Sequence, residues 1–238
     1  MSLPGADVRH TAATTVSPIL DARIARADVP TVYSRLAPLY DVWAGFTEAK
    51  ARRACLEAAA IRDGQDVLEV AVGTGLTFAE ILRRNPHGRS TGVDVTPPML
   101  ARARQRAERT APPGARWELA RGDAYALAFP DASFDVVVNN YMFDLLPEKD
   151  FPAVVAELAR VLRPGGRLVL VNMTRDARGA NAFEWLYRLS PALMGGCRGV
   201  FLEPAVRAAG FGDVHRTLVV QWGVPSEVLA AVKPSEAA

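Results

Sequence analysis

Apolar runs and helically spaced apolar residues alternate along most of this 238-residue chain. Short runs rich in Val, Leu and Ile predict strands, and apolar residues three and four positions apart predict helices. Strands are expected at 66–71, 90–95, 116–120, 134–139 and 167–173, then at about 214–221 and 227–232. Helices are expected at 48–60, 76–85, 97–109, 148–162 and 202–209. The alternation predicts an α/β fold, and the last two strands are expected to pair antiparallel around Gly223-Val224-Pro225.

Two stretches depart from this alternation. Residues 1–30 show no period and contain several prolines, so they predict a flexible segment ahead of a single domain over 31–238. An insert at about 175–200 carries Trp185 and other aromatic residues and ends in glycines around Cys197 and Arg198. Placed after the fifth strand, it would lie over the sheet edge at which open α/β sheets bind ligands. This insert and residues 33–43 are therefore expected to form two walls of a substrate pocket; the alternative is that both are core helices.

The first strand leads directly into a glycine turn, Gly73-Thr74-Gly75, and a helix follows. About 20 residues later the second strand ends in an acid, Asp94. A strand, a glycine turn, a helix and an acid on the next strand are typical of a nucleotide-binding βαβ unit. Asp94 is expected to accept hydrogen bonds from a ribose diol.

A dinucleotide is disfavoured by two side chains. The third small position of the dinucleotide motif is occupied by Phe78, and Glu69 lies just before the turn. A carboxylate there would repel a diphosphate and attract an ammonium group, so the ligand should carry a ribose and a positive charge. S-adenosylmethionine fits this description, whereas a nicotinamide cofactor does not. The remaining alternative is an ordinary α/β turn without a ligand.

Five motifs in order resemble those of the class I S-adenosylmethionine-dependent methyltransferases, over about 32–232. They are Glu69-x-Ala71-x-Gly73-x-Gly75, Gly92-Val93-Asp94, Arg121-Gly122-Asp123-Ala124, Ser133-Phe134-Asp135 and Arg163-Pro164-Gly165-Gly166. Residues 32–41 also resemble the N-terminal signature of the quinone C-methyltransferase branch. The resemblance implies a Rossmann-like seven-stranded mixed sheet, in order 3-2-1-4-5-7-6, with helices on both faces and an N-terminal helical extension.

The resemblance also implies which residues hold the cofactor, S-adenosylmethionine, and its product, S-adenosylhomocysteine. Glu69 would face the methionine amino group, Asp94 the ribose hydroxyls and Met99 the adenine ring. Asp123 would accept from the adenine amine. The complete set of expected cofactor residues is Tyr33, Glu69, Ala71, Gly73, Thr74, Gly75, Asp94, Val95, Met99, Gly122, Asp123, Ala124, Asn139 and Asn140.

The family transfers a methyl group by in-line displacement, which requires a base only when the acceptor must lose a proton. Asp144, with Tyr141 close by, is the candidate catalytic pair; the alternative for Asp144 is a capping or surface role. Candidate substrate residues are Tyr40, Trp43, Phe143, Trp185, Cys197 and Arg198. A quinone-like compound, a lipid amine and a secondary metabolite all remain open as acceptors. A protein that binds the cofactor without transferring methyl groups is the alternative function.

Composition narrows the remaining choices. The net charge of +2 is too small to indicate a nucleic-acid partner, and the two cysteines indicate neither a disulfide framework nor a metal site. There is no apolar run of about 18 residues, so no membrane-spanning helix is expected. We expect a cytoplasmic protein with a small-molecule substrate; contact with a membrane surface and the oligomeric state stay open.

Overall fold

The computed structural model describes residues 48–174 and 198–235, and these form a seven-stranded sheet in the order β3-β2-β1-β4-β5-β7-β6. The predicted α/β fold and strand order are confirmed. The strands are β1 (Asp66–Val70), β2 (Arg89–Asp94), β3 (Arg116–Arg121), β4 (Phe134–Asn140), β5 (Leu162–Met173), β6 (Gly212–Gln221) and β7 (Val224–Val232).

The described residues contain five α-helices, one before β1 and four between later strands. They are α1 (Ala49–Ala59), α2 (Leu76–Arg84), α3 (Pro97–Thr110), α4 (Phe151–Val161) and α5 (Glu203–Ala208). Two single-turn 3₁₀ helices, Phe143–Leu145 and Glu148–Asp150, connect β4 to α4. The predicted helix at 148–162 therefore begins later than expected, because its first turn is the second of these 3₁₀ helices.

The direction of the strands places most of their carboxyl ends at one edge of the sheet. Neighbouring strands from β3 through β5 pair in parallel, whereas β7 pairs antiparallel with both β5 and β6. Six strands therefore run the same way and end at one edge of the sheet, which we call the carboxyl edge. Ligands of open α/β sheets bind beyond this edge.

Helices cover both faces of the sheet, as predicted. On one face, α1 packs over the centre, and α2 and α3 pack over β1, β2 and β3. On the other face, α4 and α5 form the largest core cluster with side chains such as Leu68, Val137 and Leu168. Since consecutive residues of a strand point to opposite faces, β1 contributes Val67 and Glu69 to the first face and Leu68 and Val70 to the second.

Other expected boundaries also differ from the structure. The turn between the last strands is Trp222-Gly223, and Val224 and Pro225 already belong to β7. Proline is tolerated there because β7 extends past the last residue that pairs with β5. Strand β5 begins at Leu162 and so includes the Pro164-Gly165-Gly166 segment. The first helix ends at Ala59, where Ala60 takes up a left-handed conformation.

Several expectations lie outside the described residues. These are the flexible segment at 1–30, the part of the N-terminal extension that precedes residue 48, and the insert up to residue 197. Within residues 48–174 and 198–235, no helix has the length and apolar character needed to cross a bilayer.

Candidate functional site

The glycine turn follows β1 at the carboxyl edge and has an unusual backbone. Ala71, Gly73 and Gly75 all have positive φ, at 57°, 54° and 81°. The Val72 N–H donates to the Val93 carbonyl of β2, and the Gly75 N–H donates to the Val72 carbonyl. The turn is thus folded back on itself and tied to the neighbouring strand. Ala71 stands where the motif favours glycine, and it adopts the left-handed conformation that glycine adopts most easily.

The Asp94 carboxylate joins the glycine turn to the end of β2. Its Oδ2 accepts from the Gly73 N–H at 2.9 Å, and its Oδ1 accepts from the Thr96 N–H at 2.8 Å. Burial, the largest influence, raises the pKa of Asp94, whereas the backbone donors lower it. A carboxylate has about four lone-pair sites, so each oxygen keeps capacity for a further donor.

The two glycines of the turn serve different purposes. A Cβ added at Gly75 would lie 2.9 Å from the Ala103 Cα of α3, so this glycine allows α2 and α3 to pack closely. A Cβ added at Gly73 would meet no atom within 4 Å. Open space beside Gly73, next to the fixed carboxylate of Asp94, fits a ligand that approaches the backbone closely.

Glu69 lies in the middle of the sheet, paired with Val138 of β4 on one side and Gly92 of β2 on the other. It is almost completely buried, and its Oε2 has no hydrogen-bond partner in the described structure. Burial raises the pKa of the carboxyl well above its usual range, while a hydrogen bond to Asn140 lowers it. A buried acidic oxygen without a partner suits an incoming ammonium group.

Phe78 occupies the position that dinucleotide folds give to a small residue. Its ring is buried, and a Cβ at Gly92 would lie 3.3 Å from the Phe78 Cε2 and 2.6 Å from the Leu119 Cδ2. The glycine that makes room is therefore in β2 rather than in the helix. This explains how a bulky residue is accommodated in the first turn of α2.

The expected adenine residues lie beyond β2 and β3. Met99 is buried in α3, and Val95 is exposed. The Gly122 N–H donates to the Asp94 carbonyl, which ties the end of β3 to β2. Asp123 Oδ1 accepts from the Tyr125 N–H at 3.1 Å. Ala124 packs against the α4-side core, and Thr74 is held by Arg106, whose guanidinium contacts both its carbonyl and its hydroxyl.

Two asparagines end β4. Asn139 is buried and donates through Nδ2 to the Val70 carbonyl at 2.7 Å, while its Oδ1 has no partner in the described structure. Asn140 points to the opposite face and donates to the Thr77 hydroxyl at 3.3 Å. The pair thus connects β4 to the last residue of β1 and to α2, on both sides of the glycine turn.

The candidate catalytic groups are both held by the ends of neighbouring strands. The Asp144 oxygens accept from the Met173 N–H at 3.2 and 3.1 Å, and its side chain is fully buried. Burial raises the pKa of Asp144 well above its ordinary value; the Met173 N–H and the Arg198 charge lower it. The Tyr141 hydroxyl lies 2.9 Å from the Ser226 Oγ. Neither group is at an exposed surface.

The expected substrate residues are only partly described. Phe143 is fully buried and packs edge-on against Phe151 at 5.4 Å between ring centroids, so the structure places it in the core. Arg198 is buried and donates to the Leu146 carbonyl, close to Asp144. Residues Tyr33, Tyr40, Trp43, Trp185 and Cys197 lie outside the described residues.

The structure adds Glu48 and Thr77 to the surroundings of the site. Glu48 is buried at the start of α1, where burial raises its pKa to about 7, and its charge acts on Asp144. Thr77 contacts Asn140 and lies beside Glu69. The helical pattern placed both residues on helices but gave no signal that separated them from surface residues. No cluster of three potential metal ligands occurs in the part of the chain that the structure describes.

Comparisons with known proteins agree on one family. Residues 67–166 match the model of a methyltransferase domain. The demethylmenaquinone methyltransferase of Tropheryma whipplei is 33% identical over 165 residues, which are 68% of this chain and 65% of that protein. The chain thus spans slightly less than two thirds of this relative's length. The phosphatidylethanolamine N-methyltransferase of Cereibacter sphaeroides is 40% identical over 64% of this chain and 71% of that protein. The nocamycin O-methyltransferase of Saccharothrix syringae is 34% identical over 77% and 72%, respectively.

Solved structures share the fold at low sequence identity. The [4+2]-cyclase SpnF superposes with a TM-score of 0.70 at 19% identity, over 92% of this chain and 99% of that chain. A phosphoethanolamine N-methyltransferase of Haemonchus contortus, in complex with S-adenosylhomocysteine, gives a TM-score of 0.61 at 18% identity, over 78% of this chain and 53% of that chain. At this identity the likeness extends to the fold alone.

Proposed function

The chain belongs to the class I S-adenosylmethionine-dependent methyltransferases, and we propose that it transfers a methyl group from S-adenosylmethionine to a small-molecule acceptor. The observation that carries the proposal is the open space at Gly73 beside the anchored carboxylate of Asp94. Together with the unpartnered buried oxygen of Glu69, it suits a ligand that bears both a diol and an ammonium group.

Each part of the donor has a proposed partner. Asp94 accepts from the ribose hydroxyls through the lone pairs that Gly73 and Thr96 leave unused. Glu69 faces the methionine ammonium, where its buried charge would be compensated. The adenine is assigned to the space bounded by Val95, Met99 and the 122–124 segment, because these positions follow β2 and β3 at the carboxyl edge.

The bound donor supplies a methyl group on a sulfonium, which the acceptor takes by in-line displacement. The protein aligns the two reactants and excludes water, and alignment of this kind contributes up to ~7–11 kcal/mol. Backbone hydrogen bonds fix the glycine turn to β2, and the Asn139 side chain fixes β4 to the end of β1. Hydrogen bonds within the protein therefore hold the donor site in place.

For Asp144, the geometry favours a positioning role over that of a base. Both of its oxygens face the Met173 N–H, and the side chain has no exposed surface through which an acceptor proton would reach it. The Tyr141 hydroxyl is likewise held against Ser226. We propose that both residues fix the ends of β4, β5 and β7 around the acceptor side of the site.

The acceptor is proposed to be a quinone-like compound, a lipid amine or a secondary metabolite. The relatives support all three, because their names specify demethylmenaquinone, phosphatidylethanolamine and nocamycin. Formation of S-adenosylhomocysteine should be measured with a panel of quinols, amino-lipids and phenols. Tight donor binding without turnover on any acceptor would favour the non-methylating alternative.

Replacing Asp94 tests the donor site directly. Asp94→Ala should weaken binding of S-adenosylmethionine and S-adenosylhomocysteine by ~1–3 kcal/mol, because ribose hydroxyls lose their acceptor. It should also lower stability, since the Gly73 and Thr96 N–H groups lose theirs. Isothermal titration calorimetry measures the first effect and urea unfolding the second.

Two further variants make this test specific. Asp94→Asn keeps one acceptor oxygen, so it should retain more of the stability while still binding the donor more weakly. Glu108→Ala removes an exposed carboxylate from α3 and should change neither quantity. Unchanged donor affinity in Asp94→Ala would contradict the assignment of the site.

A further inference from the structure

Three exposed apolar side chains lie near the turn of the hairpin formed by β6 and β7. Leu218, Val220 and Trp222 are 49%, 47% and 81% exposed. Leu218 and Val220 occupy alternate positions of β6 and so point to the same side of the strand, and Trp222 follows in the turn. We call these three residues the hairpin strip. Large apolar side chains this exposed are concentrated here: in residues 48–174 and 198–235 only Val95 is comparable.

The hairpin strip lies at the same edge of the sheet as the donor site. Strand β6 pairs antiparallel with β7, which pairs antiparallel with β5, so β6 runs in the direction of β5 and β1. The end of β6 is therefore at the carboxyl edge. Trp222 extends beyond that edge, on the side of the sheet from which a ligand would enter.

The turn itself places Trp222 in a conformation that is unfavourable for this residue. Gln221 pairs with Val224, so Trp222 and Gly223 form a two-residue loop, with φ of 51° and 79°. Positive φ at both positions defines a type I′ turn, in which Asn-Gly is the preferred pair. A bulky aromatic residue at the first position gains no burial from the described residues to offset this conformation.

A cationic side chain lies beside the hairpin. The Lys50 N–H, in the first turn of α1, donates to the Gln221 Oε1 at 2.7 Å, and the Lys50 side chain is exposed. The first turn of α1 contains no acidic residue. The carboxyl edge therefore presents a protruding tryptophan, two aliphatic side chains on the face covered by α4 and α5, and a positive charge on the face covered by α1.

We propose that the hairpin strip inserts into an anionic lipid surface, with Lys50 contacting the headgroups. Tryptophan favours the interface between water and lipid, and basic side chains add attraction to anionic lipids. A second copy of the chain is a poorer match, because a stable protein interface buries about 800 Å² on each partner. Three side chains on a convex hairpin tip provide much less, whereas lipid closes around a protruding tip.

This orientation has a consequence for the acceptor. With the hairpin strip in the lipid surface, the end of β6 faces the membrane, four strands away from the Gly73 turn after β1. An acceptor dissolved in the lipid would then enter the site from this side of the sheet. This consequence rests on the proposed function, whereas the lipid contact itself does not.

The test measures flotation of the full chain with vesicles, in the absence of donor and acceptor. Vesicles of phosphatidylcholine alone are compared with vesicles that also contain phosphatidylglycerol. We expect the wild-type protein to float with the anionic vesicles. Trp222→Asn combined with Leu218→Thr and Val220→Thr should lower the bound fraction about tenfold or more. The Asn-Gly turn and the β-branched threonines keep the hairpin foldable.

A charge-matched pair tests the role of Lys50. Lys50→Gln should weaken flotation severalfold, mainly on anionic vesicles. Arg109→Gln removes an exposed cation from the far end of α3, at the opposite edge, and should have no effect. Equal losses in both variants would attribute the binding to net charge and overturn the assignment of this edge.

Three other results would also overturn the proposal. They are no flotation of the wild type on either vesicle, unchanged flotation of the triple variant, and a concentration-dependent dimer that the triple variant abolishes. The last would assign the strip to a second copy of the chain. Donor affinity, measured separately by calorimetry, shows whether the proposed function fails or only the lipid contact.

Discussion

At the scale of single residues, the candidate site is characterised by acidic side chains that are buried. Glu69, Asp94 and Asp144 are each buried, and burial raises the pKa of each of them. A buried carboxyl without a compensating cation tends to be neutral. Binding of a cationic ligand beside such a group is therefore expected to depend on pH.

Glu69 should make donor affinity rise with pH. Its carboxyl is neutral below its raised pKa, so attraction for the donor ammonium develops only as Glu69 ionises. We expect calorimetric affinity for S-adenosylmethionine to increase with pH above the usual range of a glutamate and below the titration of an α-amino group. Among the charged groups that face Glu69, Asp94 raises its pKa and Arg52 lowers it.

The isosteric variant Glu69→Gln separates binding from folding. Its donor affinity should be lower and nearly independent of pH over this range. Its free energy of unfolding at pH 8 should be no smaller than that of the wild type, because no charge is buried. Loss of stability with unchanged affinity would show that Glu69 is structural.

Glu48 should make stability fall as pH rises. Burial raises its pKa from 4.5 to about 7, so the folded protein holds a proton that the unfolded chain releases. The stabilising contribution is complete below about pH 4.5 and lost as pH passes through about 7. A shift of this size corresponds to about 3 kcal/mol. In urea unfolding, the free energy of unfolding of Glu48→Gln should differ less between pH 5 and pH 8 than that of the wild type. A pH dependence identical to that of the wild type would contradict this role of Glu48.

At the scale of elements, the glycine turn separates packing from binding. Gly75 permits the contact of α2 with α3, whereas Gly73 borders open space. Both have positive φ, so alanine is disfavoured at either position. The two positions differ in their surroundings: a new methyl group would meet the Ala103 backbone at Gly75 and open space at Gly73.

This difference predicts opposite outcomes for two matched variants. Gly75→Ala should cost at least about 2 kcal/mol of stability, because its Cβ would collide with the Ala103 backbone. Gly73→Ala should cost only about 1 kcal/mol of stability but should weaken donor binding strongly. Urea unfolding and calorimetry on both variants give the comparison. If both variants lost donor affinity in the same proportion to their loss of stability, the two glycines would not have separate roles.

At the scale of the whole molecule, the amino edge of the sheet contributes to stability and the carboxyl edge carries the candidate site. The amino edge carries ion pairs that join strands: Arg163 donates to Asp135 at 2.7 Å and to Asp66 at 2.8 Å. The carboxyl edge carries the glycine turn, Asp94 and the buried acids. Function and stability are thus partly separable along the strand direction.

Arg163→Gln should therefore lower stability without affecting the donor. The pairs are partly exposed, so we expect a loss of only about 1 kcal/mol in urea unfolding. Donor affinity by calorimetry should stay within error of the wild type. Arg53→Gln, which removes a highly exposed pair with Glu57, is the control and should leave both unchanged. A fall in donor affinity in Arg163→Gln would show that the edges are coupled.

Much of the fold was predictable because its signals are local. Apolar periodicity located every described strand and α-helix to within a few residues, except the start of β5. The next largest errors arose where tertiary contacts decide: the 3₁₀ turn before α4 and the tight turn at Trp222-Gly223. A Trp-Gly pair is an unusual choice for a type I′ turn, so the turn was predicted one residue later, at Gly223-Val224-Pro225.

By itself, the sequence determined the order of elements, the glycine turn and the acid at the end of β2, because each depends on residues close together in the chain. Tertiary structure alone decided which acids are buried, why position 75 requires glycine and why Phe78 can be accommodated in the first turn of α2. These depend on Ala103, Gly92 and the helix α1, which are distant in sequence. Burial and close approach are properties of surfaces that meet only when the sheet and its helices assemble.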